Sequence, residues 1–197
     1  MWRFFLPLLL TAIWTDYSFA QAKIEGSEIE HFVQTKDGNP RFCGLEFTIL
    51  FSDYVTSAGR LAGARGSLSF AEEKGDITLF LKVGGMEFSA GPAQPPTKFA
   101  VAKASLTAGG TTYQVANQIP CEDTAMFCGI FRLPASGEIY IRMLRESSIT
   151  LNFNRTRGSL DMQVPISSEV SPQDSKNYTA FNACMGTILS QAKGQAR

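Results

Sequence analysis

Phe42-Cys43-Gly44-Leu45-Glu46-Phe47-Thr48-Ile49-Leu50-Phe51 is the stretch whose spacing decides the fold. Cys43, Leu45, Phe47, Ile49 and Phe51 recur at every second position, the period of a strand with one face turned to a core. Gly44, Glu46 and Thr48 then face outward. Similar short β-branched or aromatic runs continue in both directions, divided by glycine and proline. Strands are expected at Glu28–Gln34, Ser67–Glu72, Asp76–Val83, Lys98–Thr107, Thr111–Val115, Gly129–Leu133, Glu138–Leu144, Ser148–Phe153 and Ser159–Val164. Asp37-Gly38, Lys74-Gly75-Asp76 and Gly109-Gly110 mark turns, and Gly109-Gly110 suits a tight hairpin because glycine accepts the positive φ of primed turns. Ser52–Arg65 and Gly84–Thr97 read as longer breaks, the second because its prolines lack a ladder donor. The pattern predicts an all-β fold, a single antiparallel sandwich or flattened barrel of eight to ten strands.

After Pro165-Ile166 the period lengthens to that of a helix. Ser171 as N-cap, Pro172 at the first helical position and Asp174 three residues after the cap start it, and Gly194 is expected to stop it after Lys193. Its stripe Tyr178, Phe181, Cys184, Met185, Ile188 and Leu189 reads as core, with a partner-facing role for Met185, Ile188 and Leu189 as the alternative. Cys184 on that stripe and Cys43 in the inward strand phase point to the same core. Cys121 and Cys128 flank a short loop. Four cysteines allow three connectivities, of which this patterning favours Cys43–Cys184 with Cys121–Cys128.

The chain has 197 residues, with 18 Lys+Arg against 18 Asp+Glu, and only 18% of it is charged. No segment carries a basic excess, so no nucleic-acid partner is implied. Met1-Trp2-Arg3 followed by the apolar run Phe4–Trp14 and by Ala20-Gln21-Ala22 has the layout of a signal peptide, cut after Ala22 or, in a competing register, after Ala20. The run falls well short of the ~20 residues that span a bilayer, so no permanent membrane span is expected. One exported domain, residues 23–197, with two disulfides in an oxidising compartment is the expectation.

Catalytic chemistry is sparse. The single histidine, His31, is in phase with Ile29 and Val33 and reads as a half-buried strand residue whose loss costs little stability. With one imidazole and no paired Cys-x-x-Cys spacing, neither a metal site nor a cofactor is expected. No Gly-x-Ser-x-Gly elbow, phosphate loop or dinucleotide fingerprint is present. Glu28 and Glu30 share a strand face, while Glu72 and Glu73 read as turn residues. Arg142, Arg145, Arg155 and Arg157 cluster late in the chain as a candidate interaction patch, interleaved with Glu138, Glu146 and Asp161. Asn154 and Asn177 each begin an Asn-x-Thr acceptor.

The order of features from Cys121 onward resembles a known family. The cysteine pair, Gly129-Ile130-Phe131-Arg132-Leu133, Met143-Leu144-Arg145-Glu146, Ile149-Thr150-Leu151-Asn152-Phe153, Met162-Gln163-Val164-Pro165-Ile166-Ser167 and Tyr178-Thr179-Ala180-Phe181-Asn182-Ala183 follow the layout of the C-terminal half of the invasion-associated locus B proteins. Those are small exported β-sandwiches of Gram-negative bacteria. The resemblance implies a non-catalytic periplasmic or secreted protein, in some cases tied to host interaction, with no catalytic residues to carry over. The functional expectation is therefore an exported protein-interaction module working in the envelope or at host contact. The alternatives are a carrier of a small apolar ligand, marked by a phenylalanine-lined cavity, and a hydrolase built on two facing carboxyls.

Overall fold

The structure, a computed structural model, describes residues 23–54, 59–88, 95–155, 162–167 and 172–195, with side chains as far as residue 192. The signal-peptide segment, Arg157 and the cap Ser171 lie outside the described residues. β1 (Lys23–Lys36), β2 (Asn39–Asp53), β3 (Arg60–Glu73) and β4 (Asp76–Glu87) form an antiparallel meander. Three short strands follow or precede a longer one: β5 (Thr97–Phe99), β6 (Val101–Ala108), β7 (Thr111–Gln114) and β8 (Asn117–Ile119). Then come β9 (Phe127–Phe131), α1 (Ala135–Glu146), β10 (Ser148–Arg155), β11 (Met162–Ser167) and α2 (Ser175–Gln195), the last entered through a 3-10 turn at Pro172–Asp174.

Asp37-Gly38, Lys74-Gly75 and Gly109-Gly110 all hold positive φ, between 54° and 89°. Both central residues of each turn are thus in the primed geometry whose twist matches the strands it joins. The strands make two antiparallel sheets, a larger one in the order β1-β2-β3-β4-β9-β8 with β5 also on β4, and a smaller one in the order β11-β10-β6-β7. Inward side chains of the larger sheet, among them Leu45, Phe47, Ile49, Phe51, Leu68, Phe70 and Leu81, meet Leu106, Leu151, Phe153 and Val164 of the smaller sheet. Beside that sheet α2 sets Phe181, Met185 and Ile188 into the same core, so the stripe is core and not a partner face. Each such fully buried side chain contributes ~1.5–3 kcal/mol of hydrophobic stabilisation. Cys43 is bonded to Cys184 and Cys121 to Cys128, with Cα–Cα distances of 5.9 and 5.7 Å.

Several boundaries differ from expectation, each for a local reason. Glu138–Leu144 is helical. Ile139 and Met143 are four apart, which places them together on a helix face as well as on a strand face, so they could not discriminate; Ile141 decides, being 47% exposed where a strand would have buried it. β2, β3 and β4 extend into the expected breaks, because the inward positions there are the small Ala62 and Ala64, which lie fully buried beneath the opposing layer. Lys98–Thr107 divides at Ala100 into β5 and β6, β8 is additional, and α2 runs through Gly194 to Gln195.

At Gly66 a side chain is forbidden: an added Cβ would land on the Lys82 carbonyl oxygen of β4 and 2.8 Å from the Phe47 ring. Gly66→Ala is expected to lower unfolding free energy by about 1–3 kcal/mol through forced separation of β3 from β4. Urea denaturation measures it, and an unchanged midpoint would show that the pair relaxes without cost.

Candidate binding face on the larger sheet

The outward phase of β1–β4 that leaves Glu46 and Thr48 exposed on β2 builds a charged face by register. Glu30, Glu46, Ser67, Lys82 and Cys128 stand opposite one another in one row across β1, β2, β3, β4 and β9. Glu28, Thr48, Arg65 and Gly84 form the next row, and Leu50, Gly63, Met86 and Lys98 the one after. Acid therefore collects over β1 and β2, and base over β3, β4 and β5. Glu30 and Glu46 are directly opposed like charges, a pairing that destabilises a sheet unless something outside it compensates. Among the described residues no ion pair within 4.0 Å reaches Glu28, Glu30, Glu46, Arg65 or Lys82.

The basic half is a groove of about 480 Å³, open to solvent. Ser67, Gly84 and Met86 contribute to its floor, and Asp123, Ala125 and Met126, from the loop closed by Cys121–Cys128, make one wall. The loop is pinned at several points. The Val101 N–H donates to the Ala125 carbonyl at 3.2 Å, and Met126 overlies Gly84, its Cγ 3.1 Å from where a Cβ would stand. Lys98 Nζ donates to Asp123 Oδ2 at 2.5 Å, and the Ala125 N–H donates to Asp123 Oδ1 at 3.0 Å. The Lys98 ammonium, then the Ala125 amide, hold the Asp123 carboxyl below its usual range. Lys98 is thereby spent on Asp123, which leaves Arg65 and Lys82 as the cations the groove presents.

The other candidate residues do not assemble into a site. Arg142 pairs with Glu146 one helical turn on, at 3.0 Å, and Arg145 is exposed on the same helix. Arg155 lies at the far end of β10, ion-paired with Asp53 at 2.9 Å and with Glu87, its guanidinium 4.0 Å from the Phe99 ring centroid. Asp53 is fully buried, so Arg155 serves as its internal counter-ion and does not join Arg142 in a surface patch. Glu28 and Glu30 belong to the charged face, whereas the Glu72 carboxylate accepts the Gly75 N–H in the β3–β4 turn.

His31 is 3% exposed and so wholly buried, more than a half-buried strand position implies. Its Nδ1 is bonded to Asp174, and Tyr178 and Phe181 place ring centroids 5.0 and 5.2 Å from its own. The recess beside it, lined by Tyr140, Met143, Leu144, Ser147, Tyr178 and Phe181, measures about 50 Å³. Ligand sites typically have ~300–1,000 Å³; the pair joins β1 to the turn through which α2 is entered. Burial of the Tyr140 phenol raises its pKa, with Tyr178 adding to the effect. Phe47, Phe51, Phe70, Phe131 and Phe153 fill the interior. No group of three or more metal-ligating side chains occurs among the described residues.

No protein-family model matches the chain, and neither does a curated protein or a solved structure. Two disulfides suit an oxidising, exported environment. No helix among the described residues is long and apolar enough to cross a membrane.

Sequence reasoning noted the shared face of Glu28 and Glu30 but missed Arg65, Lys82, Met86 and Met126. For Arg65, Lys82 and Met86 the signal is the outward phase itself, extended from Glu46 across two hairpins; Met126 lies on the Cys121–Cys128 loop, outside any strand phase. Reading Gly84–Thr97 as a break removed Met86 from the sheet.

Proposed function

We propose that this chain is an exported, non-catalytic protein-interaction module whose contact surface is the charged outer face of the larger sheet. The observation that carries this reading is the face itself: an open groove, walled by a disulfide-closed loop, that presents Arg65 and Lys82 without ion-pair partners beside the equally unpartnered Glu28, Glu30 and Glu46. Charges held in register on a sheet, with no ion pair within 4.0 Å, favour a macromolecular partner with a complementary pattern. A groove lined by Met86 and Met126 adapts to side chains of varied shape. The leader-like segment before Lys23, the disulfides and the resemblance of the second half to invasion-associated locus B proteins support a role outside the cytoplasm, in the envelope or at host contact. Interior packing by phenylalanine and the burial of His31 against Asp174 support a binding role over carriage of an apolar ligand or catalysis.

A photoreactive amino acid placed at Ser67, on the groove floor, is expected to form a polypeptide adduct in the envelope of the producing cell. The same residue at Gln114, on β7 of the smaller sheet, should not. Equal capture at both positions, or capture of small molecules only at Ser67, would overturn the reading.

A further inference from the structure

Resting on the reading of the outer sheet face as an interaction surface, we infer that its occupant is a second copy of this chain. The face is charge-striped in a way that complements itself. Glu28, Glu30 and Glu46 lie over β1 and β2, while Arg65 and Lys82 lie over β3 and β4. A two-fold axis between two such faces, parallel to the strands and running between β2 and β3, lays each acidic stripe over the other copy's basic stripe. Row for row, Glu30 then lies over Lys82 of the other copy, while Glu46 and the other copy's Arg65, on facing strands one row apart, come within reach of each other. Two-fold interfaces are self-complementary in this sense, the same patch serving both copies.

The overall balance permits it. The chain carries 18 cationic and 18 acidic side chains, and removal of residues 1–22 takes away one of each, Arg3 and Asp16, so no net charge repels one copy from the other. Leu50 and Met86, half-buried on the same face, supply apolar contact between the stripes. An acidic peptide from an unrelated protein would satisfy Arg65 and Lys82 but would be repelled by Glu46 beside them and leave Glu28 and Glu30 unmet.

Sedimentation velocity on the exported chain tests the inference. The protein should dimerise reversibly at low salt and dissociate as ionic strength rises and screens the stripes. Glu30→Lys/Glu46→Lys makes the face chiefly basic, with Glu28 its remaining stripe acid, and Arg65→Glu/Lys82→Glu makes it chiefly acidic. Each variant alone should weaken self-association by about 100-fold or more, since juxtaposed like charges disfavour an interface strongly. Mixing the two should restore a one-to-one dimer, and the chain carrying all four substitutions should regain self-association. Near-UV circular dichroism establishes that each is folded. A wild-type chain that stays monomeric, double variants that dimerise as wild type does, or folded variants that fail to rescue each other would each overturn the inference. If Ser67 crosslinks a different protein while the wild type is monomeric, the interaction reading stands and self-recognition falls; if Ser67 captures no polypeptide, both fall.

Discussion

Cys43→Ala/Cys184→Ala is expected to lower the unfolding free energy by about 5 kcal/mol, against about 2.5 kcal/mol for Cys121→Ala/Cys128→Ala. The bridges span 141 and 7 residues of sequence, and in the chain-entropy model a longer closed loop leaves more freedom for the unfolded chain to recover once the link is cut. The native state points the same way. Both long-bridge cysteines lie in the core, Cys43 on β2 and Cys184 on α2, so the link fastens the closing helix to the longest strand of the larger sheet. The short bridge closes a loop that also has the Val101–Ala125 and Lys98–Asp123 bonds. Denaturant melts of the two double variants read the difference, and hydrogen exchange should show α2 opening ahead of the sheets only in the first. Equal losses would mean that α2 is held by packing and by Asp174 rather than by the bridge.

Legibility in the sequence followed the physical strength of each signal. The β2 alternation, the Gly-containing hairpin turns and the α2 stripe are local patterns read out by a single core, and strands, turns and cysteine pairs follow from them. α1 was concealed because Ile139 and Met143 satisfy two periods at once; the Arg142–Glu146 pair and the exposed Ile141 and Leu144 were the helical side of the ambiguity. The strand through Leu61-Ala62-Gly63-Ala64 was concealed because small residues look like linker unless one knows how closely the opposing layer approaches. The candidate face is a product of register across five strands. A charge such as Lys82 has no evident relation to Glu30 until β1, β2, β3 and β4 are laid side by side. Arg155 was misjudged for a related reason: its partners, Asp53 and Glu87, come from β2 and β4, distant in sequence and brought to it only by the two-sheet topology.

Asp174→Ala is expected to destabilise the protein by about 3–5 kcal/mol or slightly more, and His31→Ala by an amount at the lower end of that range, well above what an isolated strand histidine would lose. The two residues are 143 apart in sequence and both are buried, at 3% and 5% exposure. β1 is an edge strand, and the His31 N–H on its open side has no ladder partner; the Asp174 carboxylate accepts it at 3.1 and 3.2 Å while also bonding the imidazole. One side chain therefore caps a sheet edge and anchors the start of α2. Removing Asp174 strands two donors in a site closed off by Tyr178 and Phe181, and a buried unsatisfied group costs about 1–3 kcal/mol by itself. Removing His31 leaves the carboxylate with the backbone donor still in place, which is why its loss is the smaller. In the double variant the backbone N–H of residue 31 is the one donor of the two still stranded, so the losses should fall short of additivity by about 1 kcal/mol or more. Urea melts of the four chains give the cycle directly. Additive losses, or a cost below about 1 kcal/mol for Asp174→Ala, would mean that solvent reaches the pair and that α2 is held on β1 by Phe181, Met185 and the disulfide alone.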